Sequence, residues 1–319
     1  MKRRAFLANT VSTAAGLSVL GMNIPVYGKT NAPEIGMQLY SMATALSDDF
    51  EGTLQMLAEA GYKNLEFAGP YYFSPEEEIK SSVLIQQMGL KGYGYYNYTP
   101  SELRKILDDL ELKSPSAHVS LKSLEHDIEE VLSAAQIIGH KYLICPMVVG
   151  RDIDTYKSSA DRFNKIGEAC KKAGVIFGYH NHSLEFHDYD GERPIDILME
   201  RTDPQLMVFE LDLFWTTVAG IDPVAFIKKY KDRIQLVHIK DMAKKMDSPS
   251  TDWRVFTDMT IGRPILTNQT IVGEGVIDYP SILKTAKKEN IRYYVIESDF
   301  PPDPVSFAKK SIQNLSAIM

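Results

Sequence analysis

From residue 35 onward the chain alternates short apolar runs with longer stretches whose apolar positions recur at helical spacing. Short runs bounded by turn signals read as buried strands, and a 3.6-residue period reads as a helix packed on one face. Strands are predicted over 35–40, 64–67, 114–119, 141–146, 175–180, 206–212, 234–240 and 293–297. Helices are predicted over 50–60, 124–138 and 155–173, closed by Gly61, Gly139 and Gly174. Glycine fits there because the residue after a helix often turns left-handed. Further helices over 194–201, 223–231, 280–289 and 304–318 begin at proline, whose missing N–H is not needed in a first turn.

Eight strands, each followed by a helix, predict an α/β fold of the (β/α)8 TIM-barrel class, built as one domain. An open doubly wound sheet would open on a glycine-rich turn, which this sequence lacks. Two segments exceed a minimal barrel. Residues 70–99 hold an extra helix pattern and the run Tyr93-Gly94-Tyr95-Tyr96-Asn97-Tyr98. Residues 242–279 link strands seven and eight and contain Trp253 and Gly273-Glu274-Gly275. Connections this long in a compact domain are usually functional, and both are expected as lids on the face that holds the site.

Composition changes the picture little: 44% hydrophobic and 24% charged residues are those of a chain with a sizeable core. The net charge of −7, with no basic stripe, argues against nucleic acid as a partner. Cys145 and Cys170 fall in a strand and a helix, which predicts buried free thiols. The first residues stand apart. Lys2-Arg3-Arg4 precede Ala5-Phe6-Leu7 and a small-residue, moderately apolar stretch to about Val26. This resembles a twin-arginine export signal, so residues 1–31 are read as a signal peptide and 32–319 as the barrel. That predicts a periplasmic or otherwise exported protein. Asn9, Thr10, Ser12, Thr13 and Ser18 make the stretch too polar for a stable membrane anchor.

Catalytic groups in a barrel come from the C-terminal ends of several strands, which meet at one mouth. Four apolar strands in succession end in polar residues: His180-Asn181-His182, Asp212, His238-Ile239-Lys240-Asp241 and Glu297-Ser298-Asp299. Neighbouring strands lie about 4.8 Å apart, so His180, Asp212, His238 and Glu297 can surround one point. Two imidazoles and two carboxylates suit one divalent ion, with Mn, Zn, Co, Fe or Mg as the candidates. Ionisable groups buried together without such an ion would lose hydration uncompensated. Glu210 shares a face with Asp212 one layer deeper, as a partner of the ligands or a replacement for Asp212. Alternation puts Lys240 on the His238 face, free to hold an oxyanion or pair with Asp212 or Glu210, and Asp241 on the other.

The strings LEFAG (65–69), SPSAHVSL (114–121), GYHNHSLEF (178–186), ELDLFW (210–215), VHIKD (237–241), VGEG (272–275) and VIESD (295–299) carry a family resemblance. The chain resembles the sugar phosphate isomerase/epimerase family of the xylose isomerase-like TIM-barrel superfamily, from about residue 34 to the end. The resemblance implies one metal held by Glu, Asp, His and Glu on strands five to eight. Asp212, His238 and Glu297 match; His180 stands where many epimerases carry glutamate.

It further implies proton removal beside a metal-polarised ketone through an enediolate. Glu297 is the expected base, and His182, Lys240 or Glu185 the opposing acid. Glu66, His118, Trp215 and Trp253 are expected to contact substrate, with Glu66 and His118 equally readable as satisfied interior polar groups. The expected activity is isomerisation or epimerisation of a small carbohydrate, unphosphorylated because sugar phosphates are cytoplasmic. The His180 departure also fits a 3-keto-glycoside lyase or inosose-type dehydratase. A non-catalytic sugar-binding protein is the alternative of another class. The endonucleases of the superfamily need three metals and a DNA groove, which the acidic charge disfavours.

Overall fold

The computed structural model describes residues 33–319 apart from 83, 84, 87 and 88. The signal-peptide reading of residues 1–31 therefore lies outside the described residues, where it stays an expectation. Eight parallel strands close a barrel in the order expected of sequential strand–helix units. They are β1 (Glu34–Gln38), β2 (Asn64–Ala68), β3 (Lys113–His118), β4 (Tyr142–Cys145), β5 (Ile176–His180), β6 (Met207–Asp212), β7 (Ile234–Ile239) and β8 (Tyr293–Ile296). β1 closes the ring against β8, pairing Met37 with Ile296 and Gly36 with Val295.

Alternation along each strand divides the side chains into two cores. One set packs outward against the helices: Phe177 and Tyr179 of β5 meet Phe163 of the helix Ile153–Lys172, for example. The other set points into the barrel. Tyr142, Ile144, Val208, Leu236 and Tyr293 form a buried apolar cluster there. Gly178 lies in this layer, where a Cβ would come within 2.5 Å of Ile144 Cδ1, so glycine leaves room for the isoleucine. Above the apolar layer the interior turns polar, and the change occurs at the C-terminal ends of the strands.

The helices begin and end for local reasons. Gly61 and Gly139 take positive φ, 108° and 92°, and close their helices as the sequence predicts. The helix predicted over 124–138 is instead two, Leu121–His126 and Ile128–Ile138. Asp127 breaks it: its backbone leaves the helical region (φ −150°, ψ 73°) and its carboxylate accepts the Glu130 N–H, which caps the second helix. β1 also ends earlier than predicted, at Gln38, and the chain turns through a short 3-10 segment, Leu39–Met42. No helix of the described residues is long and apolar enough to cross a membrane.

Both long connections leave the C-terminal ends of their strands. The one after β7 has structure of its own. Asp241–Met242 pairs antiparallel with Gln269–Thr270, and between them lie the turn Trp253–Phe256 and the helix Met259–Leu266. Asp241 faces away from Lys240, as alternation requires, and accepts the N–H groups of Gly273 and Gly275 at 2.9 and 3.0 Å. In the 70–99 segment Tyr95 goes to the core rather than to a lid. It is buried, and its ring centroid lies 4.7 Å from Tyr71 and 5.6 Å from Phe67. Cys145 and Cys170 are buried free thiols.

Candidate metal centre

The polar layer is built from residues at the mouth ends of seven strands and the positions just past them. Gln38, Glu66, His118, His180, Glu210, Asp212, His238, Lys240 and Glu297 are all buried. Strand register explains their meeting: His180 pairs with Glu210 and Asp212 with His238, so inward side chains of β5, β6 and β7 arrive at adjacent heights.

His180, Asp212, His238 and Glu297 each bring a ligand atom within 4.8 Å of the others'. A second set, His118, His180, Glu210 and His238, meets the same criterion. The two sets share both imidazoles and use opposite edges of each ring. His180 turns Nε2 to Asp212 Oδ2 at 3.7 Å and Nδ1 to Glu210 Oε2 at 3.2 Å. His238 turns Nδ1 to Glu297 Oε2 at 2.6 Å and Nε2 to Glu66 Oε1 at 2.7 Å.

A neutral imidazole binds an ion with one nitrogen and donates N–H from the other. An ion among His180, Asp212, His238 and Glu297 leaves Nδ1–H of His180 and Nε2–H of His238 facing Glu210 and Glu66, both within hydrogen-bond reach. An ion in the deeper set leaves Nε2–H of His180 facing Asp212 at 3.7 Å, beyond a hydrogen bond. Geometry thus favours the set nearer the mouth, with Glu66 and Glu210 orienting the rings. The donor chemistry fits a borderline divalent ion: the buried Oδ2 of Asp212 has no hydrogen-bond partner, and neither have Oε2 of Glu66 and Oε1 of Glu210 in the layer beneath.

Lys240 completes the charge pattern. Its ammonium lies 2.9 Å from Glu297, 3.2 Å from Asp212 and 3.1 Å from Asp299. Burial opposes its charge, but those three carboxylates raise its pKa well above the ordinary lysine value. Burial alone would lift Glu297; Lys240 and then His238 instead hold it well below the usual carboxylate range. Asp212 is pushed up to about 6 by burial, with Lys240 and His238 only partly offsetting it. Burial, then the neighbouring imidazoles, holds His180 well below the ordinary imidazole value. For His238, Glu210, Glu66 and Glu297 overcome burial and raise it well above that value, so His238 must release a proton when it ligates an ion. His118 is raised to about 9: Glu66 and Glu210 outweigh its burial.

The structure brings together His180, Asp212, His238, Glu297 and Lys240. Of the two readings of Glu66 and His118, the structure supports the interior polar one: both sit inside the cluster. His118 Nε2 lies 2.6 Å from Glu210 and 3.1 Å from Glu66. His182 stands at the mouth, its ring 5.0 Å from His180 and 4.8 Å from Phe256. Trp215 is fully buried behind it at 5.5 Å.

Glu185 does not join the cluster. It accepts from the outward-facing Tyr179 hydroxyl at 2.5 Å and from His182 N–H at 2.8 Å, which ties down the turn after β5. Trp253 lies further out, on the rim beneath the Arg151 guanidinium. Sequence reasoning missed Gln38 and Gln269. Gln38 donates to Glu66 at 2.7 Å, and its inward polar position at the end of β1 was the available signal. Gln269 binds Asp299 through both its amide N and its carbonyl O, from a loop with no local signal.

A closed eight-stranded barrel with a buried His/carboxylate cluster at its mouth defines a class, and the sequence comparison identifies it. Residues 54–317 match the xylose isomerase-like TIM barrel family, to which this chain belongs. Inosose dehydratase of Clostridium tetani is 27% identical over 299 residues, covering 90% of this chain and 93% of that protein. A sugar phosphate isomerase/epimerase from Parabacteroides distasonis superposes with a TM-score of 0.68 at 25% identity, covering 92% of this chain and 97% of that one. The IolI protein with a bound zinc atom shares the fold, with a TM-score of 0.64 at 13% identity over 89% of this chain and 97% of that one.

Proposed function

We propose that this chain is a metal-dependent lyase that removes a proton beside the ketone of an unphosphorylated keto-sugar and expels the substituent on the next carbon. The observation that carries this reading is the asymmetry of the site. Asp212, Glu297 and Asp299 gather round Lys240, while β5 offers only the imidazoles of His180 and His182. An epimerase needs two bases, one on each face of the reacting carbon; an elimination needs one base and one acid. The inosose dehydratases among the relatives agree with elimination.

His180, Asp212, His238 and Glu297 would hold the cation, with Glu66 and Glu210 orienting the two imidazoles. A divalent cation there supplies Lewis-acid polarisation of a substrate carbonyl. Glu297, kept ionised by Lys240 and His238, takes the proton from the carbon beside the carbonyl. The C–H electron pair becomes the new C=C bond as the neighbouring C–O bond breaks. The departing oxygen keeps that bond's electrons and takes a proton from the Lys240 ammonium; burial holds His182 well below the ordinary imidazole value, so its neutral ring lines the site. Lys240 also offsets negative charge on the substrate oxygen, a contribution at least comparable with proton transfer. The wall of Trp215, Phe256 and His182 keeps water from the reacting carbon.

The test is incubation of the metal-loaded protein with inosose and with 3-ketoglucosides, following ultraviolet absorbance and NMR. An unsaturated ketone is the expected product. A saturated stereoisomer carrying solvent deuterium would instead establish epimerisation, the reading that the Parabacteroides distasonis relative's name favours. We also propose export through residues 1–31, on the strength of Arg3-Arg4 and the stretch behind them. Fractionation of cells expressing the full chain, with and without Arg3→Lys and Arg4→Lys together, tests it; retention of the wild type in the cytoplasm would end it.

A further inference from the structure

Beside the buried centre, the barrel rim carries a second concavity that the proton-transfer chemistry does not use. It measures about 560 Å³, within the ~300–1,000 Å³ of small-molecule sites. Its walls come from three loops at the C-terminal ends of strands: Arg151 after β4, His187 and Tyr189 after β5, and residues 249–254 after β7. The cleft therefore opens on the same face as the metal centre. The two are joined by the turn Trp253–Phe256, since Phe256 packs on His182 and His182 on His180.

The cleft is held in shape. Ser250 N–H donates to Val218 O at 2.9 Å, which pins the loop to the helix after β6. Pro249 fits against Gly220, where a Cβ would lie 2.6 Å from the proline ring. His187 Nδ1 lies 3.1 Å from Thr251 Oγ1, and its ring packs edge-on against Tyr189 at 4.6 Å. Over Trp253, the Arg151 guanidinium lies 4.3 Å from the ring centroid. Arg151 is exposed and forms no ion pair among the described residues, whereas Arg254 is paired with Asp252.

We infer that this cleft is a second carbohydrate subsite, seating a pyranose ring linked to the one that reacts at the metal centre. The inference rests on the keto-sugar reading above and deepens it: the substrate is a glycoside whose leaving group is itself a sugar. A pyranose has an apolar C–H face and a hydroxyl rim. Trp253 and Tyr189 supply flat apolar surfaces, and Arg151, Ser250 and Thr251 supply hydrogen-bonding groups around them. Stacking of the ring on Trp253 displaces the Arg151 guanidinium to the ring hydroxyls, exchanging its cation–π contact for sugar contacts without breaking an ion pair.

The test compares the metal-loaded wild type with Trp253→Ala and Trp253→Phe. The probes are 3-ketoglucose and 3-keto-cellobiose oxidised on its non-reducing ring, with cellobiose binding followed separately by calorimetry. The wild type should prefer the disaccharide. Trp253→Ala should lower the disaccharide-to-monosaccharide ratio of kcat/KM at least tenfold, and Trp253→Phe should restore part of it. Should both keto-sugars resist turnover while cellobiose still binds and Trp253→Ala weakens that binding tenfold, the subsite stands and the lyase reading falls. A ratio and a cellobiose affinity that Trp253→Ala leaves unchanged would overturn the subsite. Arg151→Ala, altering only an exposed side chain, gives the same comparison if the tryptophan variants misfold; it should lower the ratio, and no change would count against the subsite.

Discussion

Lys240 and Glu297 form an ion pair of 2.9 Å inside the barrel, both side chains buried. The lysine also serves Asp212 and Asp299, so one cation offsets three carboxylates. Replacing it with a shape-matched neutral chain leaves those charges uncompensated. Lys240→Met should destabilise the metal-free protein by about 3–5 kcal/mol, the usual result of breaking a buried pair from one side. The effect also has a sign in pH. Lysine's folded pKa lies above its unfolded value, so its contribution is fully present below the unfolded pKa near 10.4 and disappears as pH rises through the folded one. Urea melts of chelator-treated protein should therefore show a gap between wild type and Lys240→Met that persists from pH 6 to 9. A gap below 1 kcal/mol there would mean the ammonium does not sit among these carboxylates.

Asp212 and Glu210 are two residues apart on one strand face, and each belongs to one of the two possible ligand sets. Ring-edge geometry favours Asp212 as the ligand and Glu210 as the partner that orients His180. Removing a ligand and removing its support differ in size: loss of an orienting partner typically costs 10–100-fold in metal affinity. Zinc titration by calorimetry should give Glu210→Gln a loss within that range and Asp212→Asn a larger one, with near-loss of binding. The reverse ranking would move the ion to the deeper set, with His118 as a ligand.

Much of this was legible in the sequence because barrels expose their logic in one dimension. Apolar runs ended in His180, Asp212, His238 and Glu297, and the eight-fold alternation placed those ends on one mouth. What stayed open in the sequence was depth. Glu66 and His118 end strands in the same way as the true mouth residues, but β2 and β3 are joined through a register shift between Asn64 and Glu66. Strand-by-strand reading cannot see that shift, and the structure puts both residues inside the cluster. Glu185 misled for another reason. It follows His182 closely, yet its partner Tyr179 points outward to Phe163, and the carboxylate is drawn to that side of the barrel wall. Gln269 reaches Asp299 only through the ribbon that Asp241–Met242 forms with Gln269–Thr270, a pairing no local pattern announces.

Gly275 shows how the long connection is fastened. A Cβ there would lie 2.2 Å from Asp241 Oδ1 and 2.4 Å from the Met242 carbonyl oxygen. The second contact is backbone, which cannot rotate away. Gly275→Ala should therefore displace the 273–277 turn from Asp241, breaking the bonds from Gly273 and Gly275. An overpacking cost of about 1–3 kcal/mol is expected, together with faster proteolysis within 242–279. Wild-type Tm and wild-type digestion kinetics in this variant would show that the approach is not tight.

Glu185 offers a pH dependence opposite to that of most carboxylates. Burial raises its pKa to about 7, against the bonds from Tyr179 and the His182 N–H that pull it down. A carboxyl raised on folding binds its proton more tightly in the native state, so it favours folding at low pH. That advantage fades as pH climbs from about 4.5, where the unfolded group ionises, through about 7. The full swing for a shift of this size is on the order of 3 kcal/mol. Glu185→Gln removes the titration while keeping an acceptor for the His182 N–H. Relative to wild type, its stability should improve steadily between pH 4.5 and 7.5 and then level off, read from urea melts of metal-free protein at half-unit intervals. Parallel wild-type and variant curves across that window would mean that Glu185 is ionised throughout, with its charge held by Tyr179 and the turn after β5 rather than avoided.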